Sequence, residues 1–418
     1  MSTINYSTIT DIFLSFLMAK YLAVAWLNYR NKKHIKNHQD RVPQKFQQKI
    51  SLEEHQKAAR YSIAKIKTGE YFGFLDFIVL MGWTLFGGLQ YLDTLVVSQF
   101  QNEIIRGIVF FTLMGLISLI IDIPQSLYST FVLEEKFGFN KTTPKTFVMD
   151  LVKSIIISTL IGLPVLSMVL WILQLTKDSW WIYAWGFLTV IQLVLIWLYP
   201  RVIAPWFNKF TPLSEGELKT KILNLLERTG FASKGIFVMD ASRRSTHGNA
   251  YFTGLGKNKR IVFFDTLINN LEDKEVEAVL AHELGHFKKK HILKSLVMRT
   301  AFSFIGFALL GFLYQWLPFY QGHGVDNPSG YMALALFSMV GSAYTFFLTP
   351  LINSISRKHE YQADRFAAEH AEADRLISAL VKLHKDNAST LTPDPLYSAF
   401  YYSHPPTMAR TDFLEKCK

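Results

Sequence analysis

The chain contains 418 residues, of which half are hydrophobic, 15% are aromatic and 18% are charged. Soluble domains carry about a quarter charged residues, so this composition favours a membrane protein over one made only of soluble domains. The formal net charge is +11, and the single cysteine, Cys417, excludes a disulfide within one chain and a metal site built from several thiolates.

Seven apolar segments are long enough to cross a membrane as helices, for which about twenty residues are needed. The first could be a signal peptide by its position, but no Lys or Arg precedes it, so we interpret it as an uncleaved span. The fourth contains Gly162 and Pro164, which predicts a kink because proline removes a backbone donor. The spans are predicted at residues 9–29, 74–92, 104–124, 147–175, 180–199, 292–316 and 331–355.

Basic residues are distributed unevenly between the loops on the two sides of this bundle. The polar segment 30–72, with a predicted amphipathic helix at 52–67, is rich in Lys and Arg, whereas the loops 93–103 and 318–330 contain neither. Because basic loops stay on the cytoplasmic side, the N-terminus is expected outside and the C-terminus inside. No aromatic-interleaved basic patch accompanies the charge, so nucleic acid is not expected as a partner.

About ninety residues between the fifth and sixth spans have soluble character. Apolar residues on one face predict a helix at 214–228, and short β-branched and aromatic runs predict strands. These strands are predicted at 236–239, 249–253 and 261–264, with a turn at 254–258.

The segment 273–291, DKEVEAVLAHELGHFKKKH, contains an H-E-x-x-H motif formed by His282, Glu283 and His286. Acidic residues at its start, lysines at its end and apolar residues at spacings of three and four predict a helix. Residues four apart share one helix face, so both imidazoles can bind one metal ion. Glu283 lies about 100° around the helix, where it can act as a general base without being a ligand. The motif therefore predicts a zinc site.

Catalytic zinc usually has three protein ligands and one open position, so a third ligand is expected. The best candidate is Glu360, in the predicted helix 356–371. Asp364 lies one turn further along the same face, where its carboxylate can accept a hydrogen bond from the second nitrogen of a ligand histidine. Arg357 is a candidate for orienting Glu360 or Asp364, and His247 is expected at the surface rather than on the metal.

The sequence resembles the CAAX prenyl protease 1 family of integral-membrane zinc metallopeptidases. The resemblance is carried by HELGH, SRKHEYQAD, the C-terminal YYSHPP, the upstream STHGNAYFTG, and FGFNKTTP, in the order found in that family. It implies one zinc ion on His282, His286 and Glu360, and seven helices around a large water-filled chamber.

The expected fold is a mainly α-helical polytopic membrane protein with a small α+β zinc metallopeptidase domain. Its predicted parts are residues 1–200 with membrane helices 1–5, residues 201–291 with the first part of the peptidase domain, residues 292–355 with membrane helices 6 and 7, and residues 356–418 with the second part.

A metallopeptidase must hold its substrate extended, and an exposed strand does so through main-chain hydrogen bonds. The resemblance implies that Asn249 and Ala250 contact the substrate, and the predicted strand continues through Tyr251; a plain hairpin strand is the alternative. The histidine that matches the family near the C-terminus is His404, in SHPPT. Its imidazole can donate to the oxygen of the tetrahedral intermediate, unless it is an ordinary loop histidine.

The expected reaction is metal-assisted hydrolysis of a peptide bond, with Glu283 as general base and Asp364 holding a ligand histidine. The resemblance implies prenylated substrates ending in a C-a-a-X box, from which the last three residues are removed. The short chain and the compact turn at 254–258 instead favour a bacterial inner-membrane homologue that cleaves membrane-associated or misfolded proteins, with the endoplasmic reticulum membrane as the alternative. A channel or scaffold with structural zinc, or a transporter, would be the non-enzymatic possibility.

Overall fold

The computed structural model describes residues 5–253 and 259–418, so the predicted turn at 254–258 lies outside the described residues. As far as residue 207 the chain is almost continuously helical, as expected for apolar segments that must satisfy their own backbone hydrogen bonds in lipid. The helices are α1 (Tyr6–His38), α2 (Leu52–Trp83), α3 (Gly88–Gln99), α4 (Glu103–Tyr128), α5 (Glu135–Phe137), α6 (Pro144–Thr176), α7 (Trp180–Leu198) and α8 (Ala204–Phe207).

Helices that could span a membrane occur in both the N-terminal and the C-terminal half of the described chain. Five helical segments are long and apolar enough to span a membrane, or six if α2 and α3, bent by 49°, form one span. One of the five, Pro144–Phe207, contains both α6 and α7. A mainly helical membrane protein is thereby confirmed, while the count of seven and the enclosed chamber stay predictions.

The second predicted span has different boundaries in the structure. The amphipathic segment and the apolar segment form one continuous helix, α2, whose first turn is fixed by a reciprocal capping box between Ser51 and Glu54. The chain then bends through Gly87, which has a left-handed φ of 78°. A Cβ atom on Gly88 would meet the Gly82 carbonyl oxygen at 2.6 Å, so the close approach of α3 to the end of α2 requires glycine at this position. The predicted span at 74–92 is therefore divided between α2 and α3 at residues 84–87.

A small α+β unit follows α8. Its four-stranded sheet has the order β1-β2-β4-β3; β2 and β4 are parallel, whereas β1 and β3 pair antiparallel with their neighbours. This order makes β3 an edge strand. The elements are β1 (Phe210–Pro212), α9 (Glu217–Arg228), β2 (Ile236–Met239), β3 (Ala250–Thr253), β4 (Arg260–Phe264), α10 (Asp265–Asn270) and α11 (Asp273–Lys288).

The C-terminal part of the chain returns to this unit after two more apolar helices. Phe366 and Ala367 of the last long helix share one hydrophobic core with Ile222, Val276 and Leu280. The two sequence-distant halves are thus held together by buried apolar surface. The remaining elements are α12 (His291–Leu313), α13 (Leu317–Gln321), α14 (Gly330–Thr345), α15 (Thr349–His370), α16 (Ala373–Asp386), α17 (Pro395–Tyr401) and α18 (Thr407–Glu415).

Candidate active site

The H-E-x-x-H motif lies on α11, as predicted. The helix begins with a capping box in which Glu275 Oε2 accepts a hydrogen bond from the Glu272 backbone N–H at 2.8 Å. Val276, Leu280 and Leu284 are fully buried and fix one face of α11 in the core of the α+β unit. The packing of this face therefore fixes the positions of His282 and His286 on α11.

The third predicted ligand, Glu360, lies on α15, which packs directly against α11. His282 Nε2 and His286 Nε2 are 3.2 Å apart. The Glu360 carboxylate oxygens lie 3.5 Å from His282 Nε2 and 3.3 Å from His286 Nε2. Tetrahedral ligands of zinc, each about 2.0–2.1 Å from the ion, are separated by about 3.3 Å. The three side chains therefore form a triangle of the size that a zinc ion requires.

The surroundings of this triangle also fit a cation. Glu360 Oε2 is buried and has no hydrogen-bond partner, which is costly for a carboxylate oxygen unless a cation neutralises it. Burial and the charge of Arg410 lower the pKa of His282, but the Asp364 and Glu360 carboxylates, 2.9 and 3.5 Å from its two ring nitrogens, outweigh both and raise it to about 9. Both features show a negative potential at the point where the three side chains meet.

A buried ion pair holds the far side of His282. Asp364 is fully buried, and its Oδ1 lies 2.9 Å from His282 Nδ1, as predicted from its position one turn after Glu360. Arg410 of α18 donates to both oxygens of Asp364, from Nε at 2.9 Å and from Nη2 at 2.6 Å. This bidentate pair fixes the carboxylate and hence the orientation of the imidazole.

The arginine that holds this carboxylate is Arg410, and the prediction that Arg357 does so is wrong. Arg357 points toward the loop after α17, where its Nη1 donates to the Tyr402 carbonyl at 2.6 Å. It therefore positions the segment that precedes His404 and does not orient the carboxylates.

A second chain of hydrogen bonds, absent from the sequence predictions, holds His286. Its Nδ1 lies 3.1 Å from Nδ1 of the buried His291, whose Nε2 lies 2.8 Å from Gln362 Oε1. Because the Gln362 oxygen can only accept, His291 carries its proton on Nε2, and its Nδ1 accepts from His286 Nδ1–H. His286 is thereby left with a free lone pair on Nε2, the atom that faces Glu360.

Of the other two predicted catalytic residues, His404 borders the triangle and Glu283 follows His282 on α11. Glu283 is partly buried, and its carboxylate makes no ion pair or hydrogen bond among the residues that the structure describes. His404 is 66% exposed, and its Nε2 lies 3.4 Å from Glu360 Oε1. In the described part of the chain, no fourth His, Cys, Asp or Glu joins the three-residue group. Three protein ligands are the number usual for catalytic zinc sites, whereas structural zinc sites usually have four.

The predicted substrate strand is β3, at the edge of the sheet. Asn249 is exposed; its carbonyl accepts from Phe264 N–H at 3.0 Å, and its side chain accepts from Ala250 N–H at 2.8 Å. In an antiparallel ladder, successive residues point their main-chain N–H and C=O groups alternately toward and away from the partner strand. Those of Asn249 face β4, so those of Ala250 face the free edge. Tyr251 instead packs its side chain with Met239 and Val262 in a small cluster. Partly exposed His247 bonds Asn387 and stacks on Phe139, away from the triangle.

Comparison with known proteins gives a consistent result over the whole chain. Residues 31–209 match the family model of the CAAX prenyl protease N-terminal region with five membrane helices. Residues 212–418 match the model of peptidase family M48. The chain is 35% identical to CAAX prenyl protease 1 of Saccharomyces cerevisiae, with 97% of this chain and 94% of that protein covered.

Two further comparisons agree. The chain is 37% identical to the CAAX prenyl protease 1 homolog of Oryza sativa, with 96% of each chain covered. A crystal structure of S. mikatae Ste24p superposes with a TM-score of 0.91 at 34% identity, covering 97% of this chain and 99% of that one.

Proposed function

The chain belongs to peptidase family M48 and is a membrane metallopeptidase, and from this premise we propose that it uses one zinc ion to cleave the C-terminal end of prenylated proteins. The observation that carries the proposal is the triangle of His282, His286 and Glu360, with a buried carboxylate oxygen that accepts no hydrogen bond. Two imidazoles and a carboxylate, with a fourth position left for water, are the usual ligands of catalytic zinc.

Each side chain around the triangle has a proposed task. When bound, zinc supplies a Lewis acid that lowers the pKa of a water toward about 7 and polarises the scissile carbonyl. The Glu283 carboxylate takes a proton from the attacking water and delivers it to the nitrogen of the leaving amine. Asp364, fixed by Arg410, holds His282 in the tautomer whose Nε2 is free. His404 donates its Nε2 proton to the developing oxyanion, since it lies beside Glu360 at an exposed position.

The proposed substrate lies along β3. The Ala250 main chain at the free edge of the sheet pairs with an extended peptide, and Asn249 contributes its exposed side chain beside it. Because the yeast and rice relatives are named as CAAX prenyl proteases, we assign a prenylated C-a-a-X terminus as the substrate. Tyr251 supports the strand from the core side rather than contacting the peptide.

The proposed orientation places the zinc unit, residues 201–291 and 356–418, on the cytoplasmic side and the N-terminus outside. Support comes from the basic segment between α1 and α2 and from the loops without Lys or Arg on the opposite side. The chain covers 94% of the yeast relative and 96% of the rice relative, so its length does not favour a bacterial inner membrane over the endoplasmic reticulum. The compartment stays a prediction.

A peptide panel tests the activity and its specificity. Purified protein with added zinc is incubated with matched farnesylated and unfarnesylated peptides that end in a C-a-a-X sequence, and the products are identified by mass spectrometry. We expect release of the last three residues from the farnesylated peptide. Equal cleavage of both peptides at scattered bonds would support the alternative, a general protease for membrane-associated proteins, and absence of any cleavage would refute both.

A further inference from the structure

A cavity of about 1080 Å³ lies on the face of α2 that points away from the candidate active site. Tyr61, Ser62 and Lys65 of α2 line the separate cavity that contains His404, whereas this one is lined by α2 residues that recur every three or four positions on the other face. The end of α1 and residues 128–137 complete its wall. We call it the basic cavity; it is lined by Lys36, Gln39, Lys57, Arg60, Ile63, Ala64, Lys67, Thr68, Tyr71, Phe72, Tyr128, Val132, Leu133, Lys136 and Phe137.

All charged side chains that line the basic cavity are positive. There are five of them, from three different segments of the chain, and no Asp or Glu lines the cavity. None of the five forms an ion pair within the described residues, whereas Lys32, one helical turn before Lys36, is paired with Glu70. Unpaired cations converging on one concave surface raise its potential and attract an anion. The five are Lys36, Lys57, Arg60, Lys67 and Lys136.

The other half of the basic cavity is aromatic and apolar. Tyr71 is 63% exposed and Val132 is 48% exposed, although both are large apolar side chains. The ring of Phe72 packs edge-on against Tyr128 at 6.0 Å between centroids. Val132 lies on a π-helical turn, Ser129–Glu134, and such turns are often found at functional sites. The cavity thus combines a cationic end with an apolar end.

These two ends follow one another along α2, toward its apolar part. On α2 the basic residues come first and Tyr71 and Phe72 follow one turn after Lys67, just before the apolar part of the helix. Tyr128 lies near the end of the span Glu103–Glu134, and Lys36 near the end of Tyr6–His38. Aromatic rings at the ends of spans mark the membrane interface. The cationic end therefore faces water and the apolar end faces lipid.

We infer that the basic cavity binds an anionic membrane phospholipid, with the phosphate and headgroup among the lysines and the acyl chains along Tyr71, Phe72 and Tyr128. Basic pockets between transmembrane helices on the cytoplasmic side have the chemistry that anionic headgroups require. An acidic protein segment would satisfy the charges but not the exposed apolar wall that continues toward the membrane spans. The site is separate from the zinc triangle and does not depend on the proposed reaction.

Retention of lipid by the purified chain tests this site. The full-length protein, freed of native lipid in detergent, is mixed with equal amounts of phosphatidylserine and phosphatidylcholine, and bound lipid is counted by native mass spectrometry. We expect the unaltered chain to retain one phosphatidylserine in preference to phosphatidylcholine. The triple variant Lys57→Gln, Arg60→Gln, Lys67→Gln should lower this preference by about tenfold or more, since each basic residue near a headgroup contributes to the attraction.

The matched control removes the same charge elsewhere. Lys33, Lys49 and Lys416 are exposed, lie outside the basic cavity and form no ion pair within the described chain, so their triple change to Gln should leave the preference within twofold. Lys57→Arg, Arg60→Lys, Lys67→Arg should also retain it, which separates lost charge from misfolding. Equal losses in both neutralised triples, or no lipid preference in the unaltered chain, would overturn the proposal. So would a glutamate-rich peptide that binds this face in place of phosphatidylserine.

Discussion

Gly285 of α11 lies so close to Ala363 of α15 that a Cβ atom on the glycine would come within 2.8 Å of the Ala363 Cα atom and 3.1 Å of its carbonyl oxygen. The obstacle is backbone, which cannot rotate away as a side chain could. The two helices therefore cross at the one position in the motif where no side chain intervenes. This contact sets the distance between the His282 and His286 rings on one helix and the Glu360 carboxylate on the other.

Replacing Gly285 by alanine should therefore separate the helices and weaken metal binding. Overpacking of this kind costs about 1–3 kcal/mol, and the shift moves Glu360 away from both imidazoles. We expect a lower thermal unfolding midpoint together with loss of bound zinc, measured by elemental analysis after dialysis. Gly306→Ala is the control, because a Cβ atom there meets nothing within 4 Å. Full zinc content in Gly285→Ala would show that the helix crossing does not determine the site.

Glu283→Gln and Glu360→Gln should fail in different ways. The first removes the proposed proton acceptor and should reduce peptide cleavage by about 10²–10⁴-fold while zinc remains bound. The second removes a ligand charge from the triangle and should lose both activity and zinc. Chelation of the unaltered protein should abolish cleavage, and added zinc should restore it. Cleavage by Glu283→Gln at the parent rate would exclude this residue as the general base.

Local sequence patterns predicted the parts of the site that lie on single helices. The periodicity and flanking charges of 273–291 predicted α11, and the four-residue spacing from Glu360 to Asp364 predicted the contact with His282. Strand β2 was predicted with its observed ends, whereas β1, only three residues long, has too few positions for an alternating pattern.

The parts of the site that depend on long-range packing were not predictable in this way. Arg410 lies 46 residues from Asp364 in a helix with no motif, and only folding brings α18 against α15. His291 follows the motif within the same segment, but its role depends on Gln362, 71 residues away. A basic or aromatic residue near a motif thus identifies a candidate, and the partner that gives it a role has to be found in three dimensions.

Arg410→Met should be strongly destabilising, because the fully buried Asp364 carboxylate would lose its guanidinium partner. Breaking a buried ion pair by removing one member costs about 3–5 kcal/mol. The double variant Arg410→Met, Asp364→Asn removes the uncompensated charge and should recover part of that loss. Unfolding in detergent, followed for both variants, measures the difference. An Arg410→Met variant as stable as the double variant would mean that the pair is not coupled as the geometry indicates.

His291→Ala should weaken zinc binding without removing a ligand. His286 Nδ1–H would lose its acceptor, so the imidazole would no longer be held in the tautomer and orientation that expose Nε2. Losing an outer partner of a ligand histidine typically lowers metal affinity by about 10–100-fold. Competition with a zinc chelator measures this change, and kcat at saturating zinc should stay near the parent value because His291 does not touch the substrate.

His359→Ala is the matched control for this variant. The His359 ring stacks on His291 at 4.1 Å between centroids without contacting His286, so zinc affinity should change little. If the two variants lose affinity equally, general packing rather than the hydrogen bond from His286 holds the ligand.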